Sequence, residues 1–418
     1  MTKAMRLGVI GVVAAVLAIA GWRTFTLMRA DAAVARGDVS EALRWRPRHP
    51  EALLGQATQR LAAGDLQGAT ASAHAVLEQE PAEGRAYRVL AQVAVVRKQN
   101  ERARSLFRIA ARRAPRDLPS RAWLAQDALL RGDHAETLRQ IDRVLSLSPG
   151  AAATVYPVLV QLAGDPAFTE ALADTLRDRP AWRPGLLAAL RHPTSGNPAN
   201  ADAVLGALQR RGGLDAEEST AWIESLLRDG RWGEAHARWA APFIAGGQPL
   251  PLLYNGDFAQ APSGQGFDWR QPQVAGVILE FEGAPTGAGR ALHARFLGRR
   301  IAGPLLEHAL LLAPGDYSLA FRRRFDALRS DNGLQWTLAC AEQGGQVIAR
   351  SQALAGSRGW QGEVVAFTVP AQGCKGQWLR LGNGGNAGAA QLVSGDLWLS
   401  AIQVTGTRSR PAEQPTER

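Results

Sequence analysis

Two short stretches carry the residues best suited to chemistry. In QWLRLGN, Trp378 and Arg380 alternate with Leu379 and Leu381; in YSLAFRRRF, Arg322 and Arg324 alternate with Phe321 and Phe325. On a strand whose apolar residues face a core, those four side chains point outward. An aromatic plane beside guanidinium donors suits an acidic saccharide or another anionic polymer, because stacking and charge-assisted hydrogen bonds act together. The same alternation turns Gln335, His293 and Arg295 outward and assigns Trp336 and Trp398 to the core.

Catalytic and metal constellations do not emerge. The seven His (49, 74, 134, 192, 236, 293 and 308) are scattered, with no pair at metal-ligand spacing, so neither a metal nor a cofactor is expected. Glu280 and Glu282 share one face of a short apolar strand, which exposes both to solvent rather than pairing them for glycoside hydrolysis. No nucleophile, base and orienting group come together, and no enzyme is expected. The two cysteines, Cys340 and Cys374, lie in the carboxy-terminal region and suit a disulfide in an oxidising compartment.

These residues must be positioned by a chain of 418 residues, 46% of them apolar. Its net charge of +10 comes from arginines dispersed among Ala, Leu and acids, with only three lysines, and no basic block interleaved with aromatics marks a nucleic-acid surface. Leu7–Trp22, LGVIGVVAAVLAIAGW, is an uncharged run behind Lys3 and Arg6. It predicts an N-terminal transmembrane helix over 1–30, with a cleaved signal peptide as the alternative. An amino terminus kept in the cytoplasm would put the bulk of a single-pass inner-membrane protein in the periplasm.

Pro47, Pro81, Pro115 and Pro149 recur every 34 residues. Between them, Gly64-Asp65 and Gly132-Asp133 mark turns, Gln99-Asn100 stands near the intermediate position, and small residues recur at Ala57, Ala91 and Ala125, then Ala69, Ala103 and Thr137. Each unit therefore reads as helix, turn, helix and a stopping proline. This pattern resembles the tetratricopeptide repeat, best in residues 81–115, where Tyr87, Leu90, Ala91, Ala103, Phe107, Ala110 and Pro115 take the signature places. Degenerate units flank three clear ones, so 31–246 is read as an α-helical tetratricopeptide-like solenoid. The resemblance implies a protein partner along the concave face made by the first helices, touched by Arg85, Arg88, Gln92 and Gln126.

After Gly246-Gly247 the helical period gives way to turn signals every 8–12 residues, the rhythm of an antiparallel β-sandwich. LYNGDF followed by FDW, then Trp360, Phe367, Val369 and Pro370, and a closing SGDLW, resemble the jelly-roll sandwiches of carbohydrate-binding modules over 250–406. In this reading Tyr254 and Phe258 start the first strand around an Asn-Gly-Asp turn, and residues 407–418 form a disordered tail. The fold class is thus multidomain, α then β. The resemblances imply a membrane-anchored scaffold for cell-surface polysaccharide assembly or export, with an acidic polysaccharide on the sandwich. Two alternatives remain: a structural assembly factor whose sandwich binds protein, and a cytoplasm-facing adaptor.

Overall fold

The computed structural model describes residues 3–247, 249–283, 289–342, 345–384 and 390–406; the tail at 407–418 lies outside them. The chain divides into two compact units, 1–214 and 215–418.

The first unit is helical. Its elements are α1 (Lys3–Ala35), α2 (Val39–Trp45), α3 (Pro50–Ala62), α4 (Leu66–Gln79), α5 (Gly84–Val96), α6 (Asn100–Arg113), α7 (Leu118–Leu130), α8 (His134–Leu147), α9 (Ala152–Leu162), α10 (Pro166–Arg177), α11 (Arg183–Leu190) and α12 (Pro198–Arg210). The turns explain the 34-residue period. Gly64 and Gly132 adopt left-handed φ of 80° and 73°, and Asp65 and Asp133 then accept hydrogen bonds from the third backbone N–H of α4 and α8. At the intermediate position Lys98 takes the same conformation with φ of 59°, and Gln99 provides no side-chain cap. The recurring small residues Ala57, Ala69, Ala91, Ala103, Ala125 and Thr137 are all buried, letting paired helices approach closely, while Phe107 fills the space beyond and stacks on Trp123 at 4.4 Å. After Pro149 the order changes: α10 packs on α8 and α12, and α9 on α11.

Helix α1 has two distinct parts. It is long and apolar enough to cross a membrane from Gly11 onward, and Val12, Leu17 and Trp22 are about two-thirds exposed (65%, 66% and 63%). Its last turns are already part of the solenoid: Ala30 and Ala33 are fully buried, Phe25 meets Trp45 edge to face at 5.7 Å, and Arg29 pairs with Glu41 of α2 at 3.2 Å. The helix runs without a break through position 30, where the sequence reading closed the anchor.

The second unit begins earlier than the reading of 250–406. It contains α13 (Ala216–Arg228) and α14 (Trp232–Ala245), followed by β1 (Trp269–Arg270), β2 (Val277–Gly283), β3 (Arg290–Ile301), β4 (Leu306–Leu310), β5 (Gly315–Arg329), β6 (Leu334–Cys340), β7 (Val347–Arg350), β8 (Gly356–Val369), β9 (Gln377–Asn383) and β10 (Gln391–Gly406). The strands form two five-stranded antiparallel sheets, β1-β4-β9-β6-β7 and β2-β3-β10-β5-β8. Their facing sides share one core that includes Trp269, Phe321, Trp336, Leu379, Leu381, Leu397 and Leu399, so the fold is a β-sandwich. Cys340 and Cys374 are joined by a disulfide.

The stretch LYNGDF does not start a strand. Asn255 and Phe258 both have left-handed φ, and residues 254–257 form a turn. Asn255 ties this turn down: its side-chain amide donates to the Gln260 carbonyl at 3.0 Å, and its backbone carbonyl accepts from Trp269 Nε1 at 2.9 Å. Phe258, fully buried, enters the core against Trp269 and Phe281. A turn wins here because Gly256 lies against Ile402, whose N–H donates to the Gly256 carbonyl at 2.8 Å; a side chain at 256 would place its Cβ 1.8 Å from the Ile402 carbonyl oxygen.

Candidate functional site

The outer face of the first sheet is built by cross-strand register. Arg270, Glu307, Arg380, Thr337 and Arg350 lie side by side across β1, β4, β9, β6 and β7. In the next row Trp378 stands between Ala309 and Ala339, whose small side chains leave its ring room. Arg380 Nε donates to Glu307 Oε1 at 2.6 Å, which orients the guanidinium. Beside it lies a cleft of about 210 Å³ whose walls include Pro304, Thr337, Val347, Arg380, Gly382 and Asn383. Among the described residues, the two terminal nitrogens of Arg380 have no hydrogen-bond partner, so this is a cleft with oriented donors in its wall.

Trp378 is half-buried rather than an open platform. The edge of Trp232, from α14, packs against it at 5.4 Å and 80°, and the guanidiniums of Arg270 and Arg380 lie 4.9 and 5.2 Å from its ring. Arg270 is itself held by Glu224 of α13 at 2.9 Å. Trp232 comes so close to the β9 approach that a Cβ on Gly376 would sit 2.0 Å from its indole, so a residue with a side chain cannot stand there without displacing α14. His236, Trp239 and Phe243 extend the seam, Trp239 meeting Tyr254 at 5.2 Å and Phe267 at 5.6 Å. Beneath it, His308 is buried with Nδ1 2.7 Å from the Ala309 carbonyl and Nε2 3.1 Å from the Tyr254 carbonyl; burial pushes its pKa down to about 4.

Arg322 and Arg324 do not join Trp378 and Arg380. They lie on the outer face of the second sheet, on the opposite side of the sandwich. There Arg324 sits 4.5 Å from the Trp398 ring, His293 stacks on Trp398 at 4.4 Å, and Asp396 lies 2.7 Å from His293 and 3.7 Å from Arg295. Arg322 approaches Trp360 at 5.9 Å. Trp398 is therefore not a core residue as its apolar neighbours implied: Leu397 and Leu399 are fully buried on the inner side, and alternation turns the tryptophan between them outward. Trp336 is buried. Glu280 and Glu282 are exposed on β2, and the described residues contain no cluster of His, Cys, Asp or Glu able to hold a metal ion.

In the solenoid, Arg85 and Arg88 are engaged between repeats. Arg85 bonds Glu51, one period away, at 2.5 Å and Glu83 at 2.9 Å; Arg88 pairs with Asp117 at 3.1 Å. Gln92 is half-buried and Gln126 exposed. Sequence reasoning missed Glu307 and Asn383. The signal for Glu307 is the alternation in LEHAL, hidden by the leucines on either side of that strand.

No protein-family model matches the chain, and no curated protein matches it. Among solved structures, it is similar to a family 16 carbohydrate-binding module at 14% identity, covering 37% of this chain and 99% of that one with a TM-score of 0.28. It is also similar to YrrB, a TPR protein with an unusual peptide-binding site, at 15% identity over 46% of this chain and 91% of that one, TM-score 0.30. The corresponding figures for a thermophilic TPR protein of Thermus thermophilus are 20%, 49% and 94%, with a TM-score of 0.25. By its own 34-residue helical pairs and its two five-stranded sheets, the chain resembles tetratricopeptide-repeat proteins in its first part and jelly-roll carbohydrate-binding modules in its last.

Proposed function

We propose that this chain is a non-catalytic scaffold anchored by α1 in an inner membrane, with its bulk in the periplasm. Its solenoid recruits a protein partner and its sandwich holds an acidic polysaccharide, in the assembly or export of a cell-surface polymer. The observation that carries the glycan part is the cleft beside Arg380, whose guanidinium is held in place by Glu307 and keeps donors for a carboxylate or hydroxyl. Trp378, half-buried against Trp232, acts as part of the seam next to that cleft rather than as an open platform. The disulfide supports an oxidising compartment.

The test uses the full chain in detergent micelles, titrated calorimetrically with polygalacturonate fragments and with a neutral glucan. Arg380→Ala should weaken the acidic glycan about tenfold, as expected for loss of a charge-assisted contact. Arg324→Ala, on the opposite face, should leave binding unchanged. Equal binding by Arg380→Ala and the parent would sink the cleft assignment. Absence of any glycan binding favours the structural reading, in which the sandwich is a protein-packing module, a reading that the Trp232–Trp378 seam supports.

A further inference from the structure

Several arginines of the clear repeats are tied to carboxylates. Arg85, Arg88, Arg104 and Arg131 lie within 3.1 Å of Glu51, Asp117 or Asp127. A groove between α6 and α8, on the face made by the second helices of adjacent repeats, instead gathers arginines without carboxylate partners. It is a cavity of about 620 Å³ that runs along α8 beside the second half of α6, and its walls carry Arg108, Arg112, Arg121 and Arg143. Among the described residues, none of these four forms an ion pair. Arg121 spans the groove on neutral acceptors only: the Pro115 carbonyl at 3.0 Å, the Ala111 carbonyl at 3.3 Å and the Gln140 amide oxygen at 3.4 Å. Burial, and then the charge of Arg143, push its pKa below the ordinary arginine value, against a smaller opposing effect of Asp117. Glu136 is the one acid in the walls, and it is already engaged by Arg139 and by the Gln140 amide.

The floor is apolar and contains no aromatic ring. Ala111 and Leu124 are buried there, and Leu147 at the rim is 42% exposed. Sugars take their affinity largely from flat aromatic faces, which this groove lacks; Trp123 of α7 is spent on Phe107. An acidic chain segment with an apolar side chain matches both features, its carboxylates on the rim arginines and its apolar group on Ala111 and Leu124.

We propose that the groove between α6 and α8 docks an acidic, leucine-bearing linear segment of a partner protein, on the face opposite to the one that the first helices would offer. The proposal rests on the reading that the solenoid recruits protein, and adds where and by what chemistry.

The test is fluorescence anisotropy of the full chain with a fluorescein-labelled glutamate-rich peptide carrying leucines, its glutamine counterpart, and polygalacturonate as competitor. Arg112 and Arg143 are exposed and make no hydrogen bond among the described residues, so the double variant Arg112→Glu/Arg143→Glu should keep its far-ultraviolet circular dichroism. Arg97→Glu/Arg102→Glu, both exposed and outside the groove, is the control for net charge. The expected result is binding of the acidic peptide and not of its glutamine counterpart, lost by about tenfold or more in the double variant, retained in the control and weakened by added salt. Equal loss in the control would reduce the effect to bulk charge and overturn the proposal. So would peptide binding that survives the double variant but falls with Gln92→Ala/Gln126→Ala, although that result would keep a protein-binding solenoid. Polygalacturonate binding lost in the double variant, with no peptide binding, would make the groove a glycan site instead.

Discussion

The helical pair α5–α6 and the pair α13–α14 share one local plan and serve different surroundings. Both turn through a residue in left-handed conformation, Lys98 in one and Gly230 in the other. In α5–α6 the buried positions are mostly alanine: Ala86, Ala91, Ala94, Ala103 and Ala110. Small residues let helix axes come close and stack repeat on repeat. In α13–α14 the buried positions include Trp222, Ile223, Leu226 and Trp232, and His236, Trp239 and Phe243 reach Phe267 and Tyr254 of the sandwich unit. Turn geometry makes the pair, and side-chain width selects what the pair lies against. That is why residues 215–246, read in sequence as the end of the solenoid, join the sandwich unit.

The seam of α14 is most sensitive at Trp232. Trp232→Ala removes a buried ring from between Trp378 and Phe267 and should destabilise the unit by about 3–5 kcal/mol, with earlier thermal unfolding and faster proteolysis in the 249–268 connection. Unchanged stability would mean that the seam is a contact without energetic weight.

Acid should loosen the same seam through His308, which holds the Tyr254 carbonyl beneath Trp239. Its pKa is about 4 in the fold and ~6.5 in an unfolded chain, so its contribution is complete above pH ~6.5. It is lost as pH falls from ~6.5 to about 4, because the unfolded chain then binds the proton more readily. At about 1.4 kcal/mol per pH unit, the loss reaches roughly 3 kcal/mol. His308→Gln should flatten that part of the stability–pH curve, and an identical slope would show that other groups carry it.

Within the repeats the effects are smaller and of opposite kind. Ala103→Leu puts a larger side chain where α5 and α6 meet and should cost about 1–3 kcal/mol, read in denaturant unfolding, whereas the same change at exposed Arg102 should be close to neutral. Lys98→Gly should stabilise by about 1 kcal/mol, since it restores at the middle turn the residue that Gly64 and Gly132 provide at the neighbouring ones. Loss of stability in that variant would show the lysine side chain to be engaged.

Much of the fold was legible because local chemistry repeats. Gly-Asp turns, alanines at fixed offsets and stopping prolines marked each helical pair, and the alternating leucines of β6, β9 and β10 marked strands. The site was less legible. Alternation showed that Trp378, Arg380, Arg322 and Arg324 face outward but not on which sheet, and the two pairs occupy opposite faces. Trp398 was misassigned because LWL leaves the phase of a strand open until its neighbours decide it.

What the sequence determined by itself is therefore whatever acts over a few residues: the apolar run of α1, the turn chemistry, the helical period and the alternation of strands. Tertiary structure alone decided the rest. It set Trp232 against half-buried Trp378 and drew the buried Arg323 onto Glu363 at 2.7 Å, inside the sandwich. It also gathered four arginines from α6, α7 and α8 into one groove whose one wall carboxylate, Glu136, is engaged by Arg139. The physical reason is that a charge or a ring takes its meaning from groups distant in the chain, and only the packing of elements brings those groups within reach.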